Sequence, residues 1–189
     1  MSGVLHKPGP HESGHLHVTG AARYVADEAG PAGTVFVLPV PSPAARGTIE
    51  RLDVRPALQV PDVLAVLTVD DIPGDNIWGP IQHNEPLLAH GEVFYMGQAV
   101  AIVVAEDEAA ARAGAKAVIL EITEEKPIIG IEAAIEAGSF HTQPHIIERG
   151  DLSSGFESAA LTIEGRVFTP GQDHFYLETQ AALAVPDED

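Results

Sequence analysis

Residues 171–180 read Gly-Gln-Asp-His-Phe-Tyr-Leu-Glu-Thr-Gln, two amides, two acids, an imidazole and two aromatics in one short stretch. The Gln172 amide offers one acceptor and two donors. Gly171, beside it, lets backbone approach a ligand closely. With a turn at Pro170-Gly171 and a strand after it, His174, Tyr176 and Glu178 share one face, while Phe175, Leu177 and Thr179 share the other. On composition alone the pattern fits an ordinary strand with one wet face better than a ligand-facing one.

His11, His15 and His17 form a second cluster, in HESGHLH. Imidazoles suit a divalent metal, but no acidic or thiolate ligand at diagnostic spacing completes the set. The chain has no cysteine, so disulfides, thiolate metal sites and a Cys nucleophile are excluded within it. There is no Gly-rich phosphate loop and no serine in a nucleophile-elbow context. Asp27-Glu28 and Glu124-Glu125 read as solvated turns. No metal site is therefore expected within this chain.

The elements around these residues are short. TVFVLPV (34–40), GTIERLDV (47–54) and VLAVLTV (63–69) are apolar β-forming bursts flanked by Pro, Gly or Asp, and read as strands. RPALQVPD (55–62) reads as one helical turn. QAVAIVVAE (98–106) has the continuous apolar character of a strand buried on both faces. Asp107 caps an Ala-rich helix over 107–117, and VILEIT (118–123) alternates as a half-buried strand does. Together these last three predict a β-α-β arrangement inside an α+β domain. The Pro/Gly/Asn-dense stretch 70–91 is long for a loop and points to function or a docking surface. IEAAIEAG (131–138) reads as a short helix within a connector. ALTIEGRVFTP (160–170) and HFYLETQAALAVP (174–186) read as two strands opening a further domain, since about forty residues cannot bury a core alone.

Composition narrows the class. With 45% hydrophobic residues the chain has material for a core. The net charge of −18, from 28 acids and 10 bases, disfavours a nucleic-acid partner. No run matches a membrane span and the N-terminus has no apolar signal core, so the expected location is cytoplasmic.

GQDHFYLETQAALAVPDED resembles the Gly-Gln-Glu-His-Phe-Tyr-Leu-Glu segment of the molybdenum hydroxylases, and within them the large subunits of bacterial xanthine dehydrogenases. Three further segments are similar to the same family in the same order. They are PHESGHLHVTGAARYVADE (10–28), like its N-terminal arm and first strand; residues 61–106, with the DIPG-N-GP and GQ motifs of its hammerhead domain; and GDLSSGFESAA (150–160), like the linker opening its cofactor domain. The resemblance implies an arm over 1–16, an α/β-hammerhead domain over 17–125, a linker over 126–149 and the truncated start of a molybdenum-cofactor-binding domain over 150–189.

It also implies roles. In the family the motif's Gln hydrogen-bonds the molybdenum centre, which falls here on Gln172, with Gly171 letting the loop close on the cofactor. Pro170 stands where the family has a second Gly and Asp173 where it has Glu, two departures in the loop that aims Gln172. The family's substrate-orienting Arg and Glu and its general-base Glu lie further along, so no catalytic residue is expected within this chain. The implied parent hydroxylates hypoxanthine or xanthine with water-derived oxygen. It carries a molybdopterin-type molybdenum cofactor, with 2Fe-2S clusters and FAD on another subunit or domain passing electrons to NAD. The expected partners are the remainder of the molybdenum subunit, the Fe-S/FAD subunit and the purine substrate. This chain alone is expected to be inactive, to hold no cofactor and to self-associate. A stand-alone hammerhead module docking through 70–91, or the same piece of a sibling hydroxylase for aldehydes or N-heterocycles, are the alternatives.

Overall fold

The computed structural model describes residues 9–176, 178 and 180–186 and divides the chain into two units. One is residues 33–146; the other joins residues up to Ala32 with those from Ile147 on. In chain order the elements are α1 (Gly14–Thr19), β1 (Phe36–Pro41), β2 (Gly47–Asp53), β3 (Val63–Leu67), β4 (Ile77–Trp78), β5 (Glu85–Pro86), β6 (Glu92–Val93), β7 (Ala99–Ala105), α2 (Glu108–Ala117), β8 (Ile119–Glu124), α3 (Ile131–Glu136) and α4 (Leu152–Glu157). No helix among the described residues is long and apolar enough to cross a membrane.

The larger unit is built on β7. Val100, Ala101, Val103 and Ala105 are fully buried, as the unbroken apolar run requires. β7 pairs antiparallel with β1 on one side and β3 on the other. Asp107 caps α2 by accepting the Ala110 N–H at 2.7 Å. Gly114 brings α2 close to the sheet: a Cβ there would lie 2.9 Å from side-chain methyls of both Val103 and Val63. Strand, helix and strand follow one another as expected, but β7 and β8 do not share a sheet. Both edges of β7 are taken, so the chain leaving α2 pairs antiparallel with β2, in the sheet ordered β6-β2-β8. The fold is α+β, with every ladder among the described residues antiparallel.

Stretch 70–91 is a built hairpin rather than an open loop. β4 pairs with β5, and Asn76 clamps its base like a third ladder rung. Its Nδ2 donates to Leu88 O at 2.7 Å while its Oδ1 accepts the Leu88 N–H at 2.9 Å. Gly79 is obligatory, with φ 146° and a Cβ position 1.8 Å from Gln82 O. Trp78 and Ile81 stay exposed at the hairpin. In the GQ motif, buried Gln98 accepts the Phe94 N–H through Oε1 at 2.8 Å, and its Nε2 has no partner among the described residues. These motif positions therefore hold the local fold.

The smaller unit departs from expectation at both ends. Residues 14–19 form α1 and 25–27 a 3-10 turn, so the segment expected as an extended arm and first strand is helical where it is described. Gly20 ends α1 in the left-handed conformation at φ 73°, its N–H reaching back to His17 O. The two strands expected over 160–170 and 174–186 are unpaired: among the described residues there, none joins a ladder. A strand is held by its neighbours' backbone groups, and among the described residues these runs have no such neighbour.

Candidate functional site

At the Gln172 segment the side chains do not alternate as a strand would set them. Asp173 Oδ1 accepts the Phe175 N–H at 2.7 Å, an Asx turn, and Phe175 adopts φ 49° in the left-handed region. The turn breaks the period-2 alternation that would place His174, Tyr176 and Glu178 on one face. Leu177 and Thr179, expected on the other face, lie outside the described residues. Gln172 is exposed, and its amide has no hydrogen-bond partner among the described residues. Gly171 faces open space, with nothing within 4 Å of a built Cβ. Beyond the turn, Gln180 Nε2 meets Tyr176 Oη, and Glu178 Oε1 accepts the Val25 N–H at 3.0 Å. Two surface depressions of the larger unit, about 530 and 590 Å³, include neither Gly171 nor Gln172 in their lining.

The histidines fall into place differently. Ser13 Oγ lies 3.0 Å from His11 Nδ1 and 3.2 Å from His17 Nε2, and His17 Nδ1 lies 2.9 Å from Tyr24 Oη. His15 takes no part in this network. No group of three or more His, Asp or Glu side chains is placed to hold a metal among the described residues. Ser13, Tyr24 and Val25 carry contacts that spacing in the sequence did not signal.

The most perturbed carboxyl lies elsewhere. Asp53, buried at the end of β2, accepts from Arg55 Nε at 2.8 Å, Arg55 Nη2 at 2.6 Å and Arg51 Nη2 at 2.9 Å. The Arg55 guanidinium foremost, with Arg51 adding to it, holds the Asp53 carboxyl well below the usual carboxylate range, against the burial that pushes it up. Arg51 also reaches Glu121 on β8 at 3.1 Å, so the cluster ties two strands. Asp151, which caps α4, is likewise lowered, by the Ser154 hydroxyl and N–H.

Comparison with known proteins supplies the context. Residues 19–126 match the model for the aldehyde oxidase and xanthine dehydrogenase a/b hammerhead domain, and residues 139–189 that for the molybdopterin cofactor-binding domain. The chain is 40% identical over 187 residues to a xanthine dehydrogenase of Blastobotrys adeninivorans, and 39% identical over 180 residues to aldehyde oxidase 4 of Cavia porcellus. These alignments cover 97% and 95% of this chain but 13% of each relative. Among solved structures, the aldehyde oxidoreductase of Desulfovibrio gigas superposes with TM-score 0.68 at 29% identity, covering 82% of this chain and 19% of that one. The quinoline 2-oxidoreductase of Pseudomonas putida 86 superposes with TM-score 0.60 at 28% identity, covering 79% and 21%. The chain thus spans about an eighth of the curated relatives' length, and it belongs to the aldehyde oxidase and xanthine dehydrogenase family of molybdenum hydroxylases, of which it carries the hammerhead domain and the start of the cofactor-binding domain.

Proposed function

We propose that this chain is the N-terminal portion of the molybdenum-binding subunit of a xanthine dehydrogenase. The arm is 1–16, the hammerhead domain 17–125, the linker 126–149 and the start of the cofactor domain 150–189. The observation that carries the reading is the 40% identity to a xanthine dehydrogenase along 97% of the chain. The parent hydroxylates hypoxanthine or xanthine with oxygen from water and passes electrons through 2Fe-2S clusters and FAD to NAD. Its partners are the remainder of this subunit, an Fe-S/FAD subunit and the purine. This reading puts the parent enzyme in the cytoplasm. The 39% identity to an aldehyde oxidase favours a second reading, the same piece of an aldehyde-hydroxylating sibling.

The residues present suit the cofactor. Gln172 holds an unengaged amide at the surface, and Gly171 leaves room for a close approach. Gln172 would donate a hydrogen bond to the bound cofactor, and Gly171 would let the backbone close beside it. The bound cofactor supplies the redox centre; this chain supplies a hydrogen-bond donor that fixes its orientation. The test is a full-length subunit carrying this sequence, produced with its Fe-S/FAD partner and loaded with molybdenum. Turnover of xanthine well above that of aromatic aldehydes supports the first reading. The reverse preference establishes the second. The 189-residue chain alone should contain no molybdenum and oxidise neither substrate.

A further inference from the structure

Two imidazole nitrogens converge on one hydroxyl at the start of α1. His11 Nδ1 and His17 Nε2 lie 3.0 and 3.2 Å from Ser13 Oγ, with ring centroids 6.2 Å apart. The Ser13 N–H also donates to His11 Nδ1 at 3.3 Å, so that nitrogen is an acceptor with its lone pair turned toward Ser13. On the far side of the other ring, His17 Nδ1 lies 2.9 Å from Tyr24 Oη. When that nitrogen carries the proton and donates to Tyr24, Nε2 presents a second lone pair to the same point. One hydroxyl proton then serves two acceptors. A hydrogen bond on the opposite ring nitrogen is also what fixes tautomer and orientation in metal-bound histidines.

We propose that His11 and His17 form a two-imidazole site for a divalent cation of the zinc class, taken between His11 Nδ1 and His17 Nε2 in place of the Ser13 hydroxyl. Ser13 turns aside, each ring moves in by about 1 Å to reach coordination distance, and water fills the remaining tetrahedral positions. Both rings are exposed, so water has access. Imidazole suits zinc and copper, whereas magnesium and calcium prefer oxygen. The ion fastens the residues ahead of α1 to its last turn and, through Tyr24, to the 3-10 turn beginning at Val25. The alternative pair, His11 and His15 at i and i+4, is what spacing alone suggests; the fold selects His17 instead.

Titrating the 189-residue chain with ZnCl2 while following histidine ring resonances by NMR tests this directly in the unaltered protein. His11 and His17 should shift together and saturate at one ion per chain, with Nδ1 of His17 protonated. MgCl2 at the same concentrations should move neither ring. His11→Asn and His17→Asn should each abolish the saturable shift, His15→Asn should leave it intact, and Tyr24→Phe should weaken binding about tenfold, as loss of an orienting partner does. The absence of any saturable shift in the wild-type chain, or one centred on His11 with His15, overturns the proposal. Survival of the His11 response in His17→Asn overturns it as well.

Discussion

Glu178 Oε1 accepts the backbone N–H of Val25 at 3.0 Å, a contact between positions 153 residues apart in the chain. Val25 opens the 3-10 turn 25–27, whose first N–H groups have no partner within the turn. A carboxylate there accepts a charge-assisted bond and sits well against the positive end of the turn. Glu178 is thus a tether between the two chain segments of the smaller unit rather than one member of a wet strand face. Glu178→Ala should speed amide hydrogen exchange at Val25 severalfold and leave β7 amides unchanged. Glu178→Gln, which keeps an acceptor oxygen, should restore part of the protection. Equal exchange at Val25 in all three proteins would remove the tether from the account.

The Asp53 cluster predicts a pH dependence. Its carboxyl titrates lower in the folded chain than in the unfolded one, where an aspartate titrates near pH 3.9. A lowered folded value adds stability above the unfolded value, and this is lost as pH falls through the folded one. The stability difference between wild type and Asp53→Asn should therefore be level between about pH 5 and 7 and shrink only below about pH 4. Urea denaturation at a series of pH values measures it. A difference that closes already near neutrality would mean that another group is responsible.

Gly114 is set by contact rather than by backbone conformation. Added atoms there meet Val103 and Val63 at 2.9 Å, between α2 and the sheet. Gly114→Val should cost about 1–3 kcal/mol, the range for forcing extra carbons into a packed core. At solvent-facing Ala113, outside this contact, the same replacement should cost only the weaker helix preference of valine, less than about 0.7 kcal/mol. Thermal unfolding of the two variants side by side separates packing from propensity.

Unpaired apolar side chains remain in the smaller unit. Phe168 is 66% exposed and Phe175 94%. Apolar surface of this kind, on chain without ladder partners, favours association. Light scattering coupled to size exclusion should show the mean mass rising with protein concentration. A Phe168→Ser, Phe175→Ser double variant should lower that rise. A strict monomer at every concentration would show that these side chains do not drive contacts.

Much of the larger unit was legible because its signals are local. The apolar bursts gave β1, β2, β3, β7 and β8 to within two residues at each end, and Asp107 marked the start of α2. Pairing was less legible, since nothing within 98–123 tells that β1 and β3 already flank β7. Asn76, Gly79 and Gln98 looked like motif residues and turned out to hold backbone. At the candidate site the residue types were readable, but their faces were not. Strand alternation over 174–179 presupposes a neighbouring strand, and Asp173 instead closes on the N–H two residues ahead. That bond was open to reading: Asp in place of the family's Glu is the shorter acid that makes Asx turns.

The Asx turn bears directly on the role of Gln172, one residue before it. In a full-length, molybdenum-loaded subunit, a hydrogen bond from this amide to the charged cofactor would be worth roughly 1.5–3 kcal/mol, as hydrogen bonds to charged groups are. About 1.4 kcal/mol corresponds to tenfold in rate. Gln172→Ala should therefore slow turnover by about ten- to a hundredfold. Yield and folding should hardly change, because the side chain is exposed and has no partner among the described residues. His174→Ala is the suitable control, since Glu178 is occupied by Val25. Asp173→Glu lengthens the acid beyond its bond to Phe175 and should restore an extended backbone there, shifting turnover without changing molybdenum content. Wild-type turnover in Gln172→Ala at full molybdenum content would show that Pro170 and Asp173 aim the amide away from the metal, and that this position does not orient the cofactor.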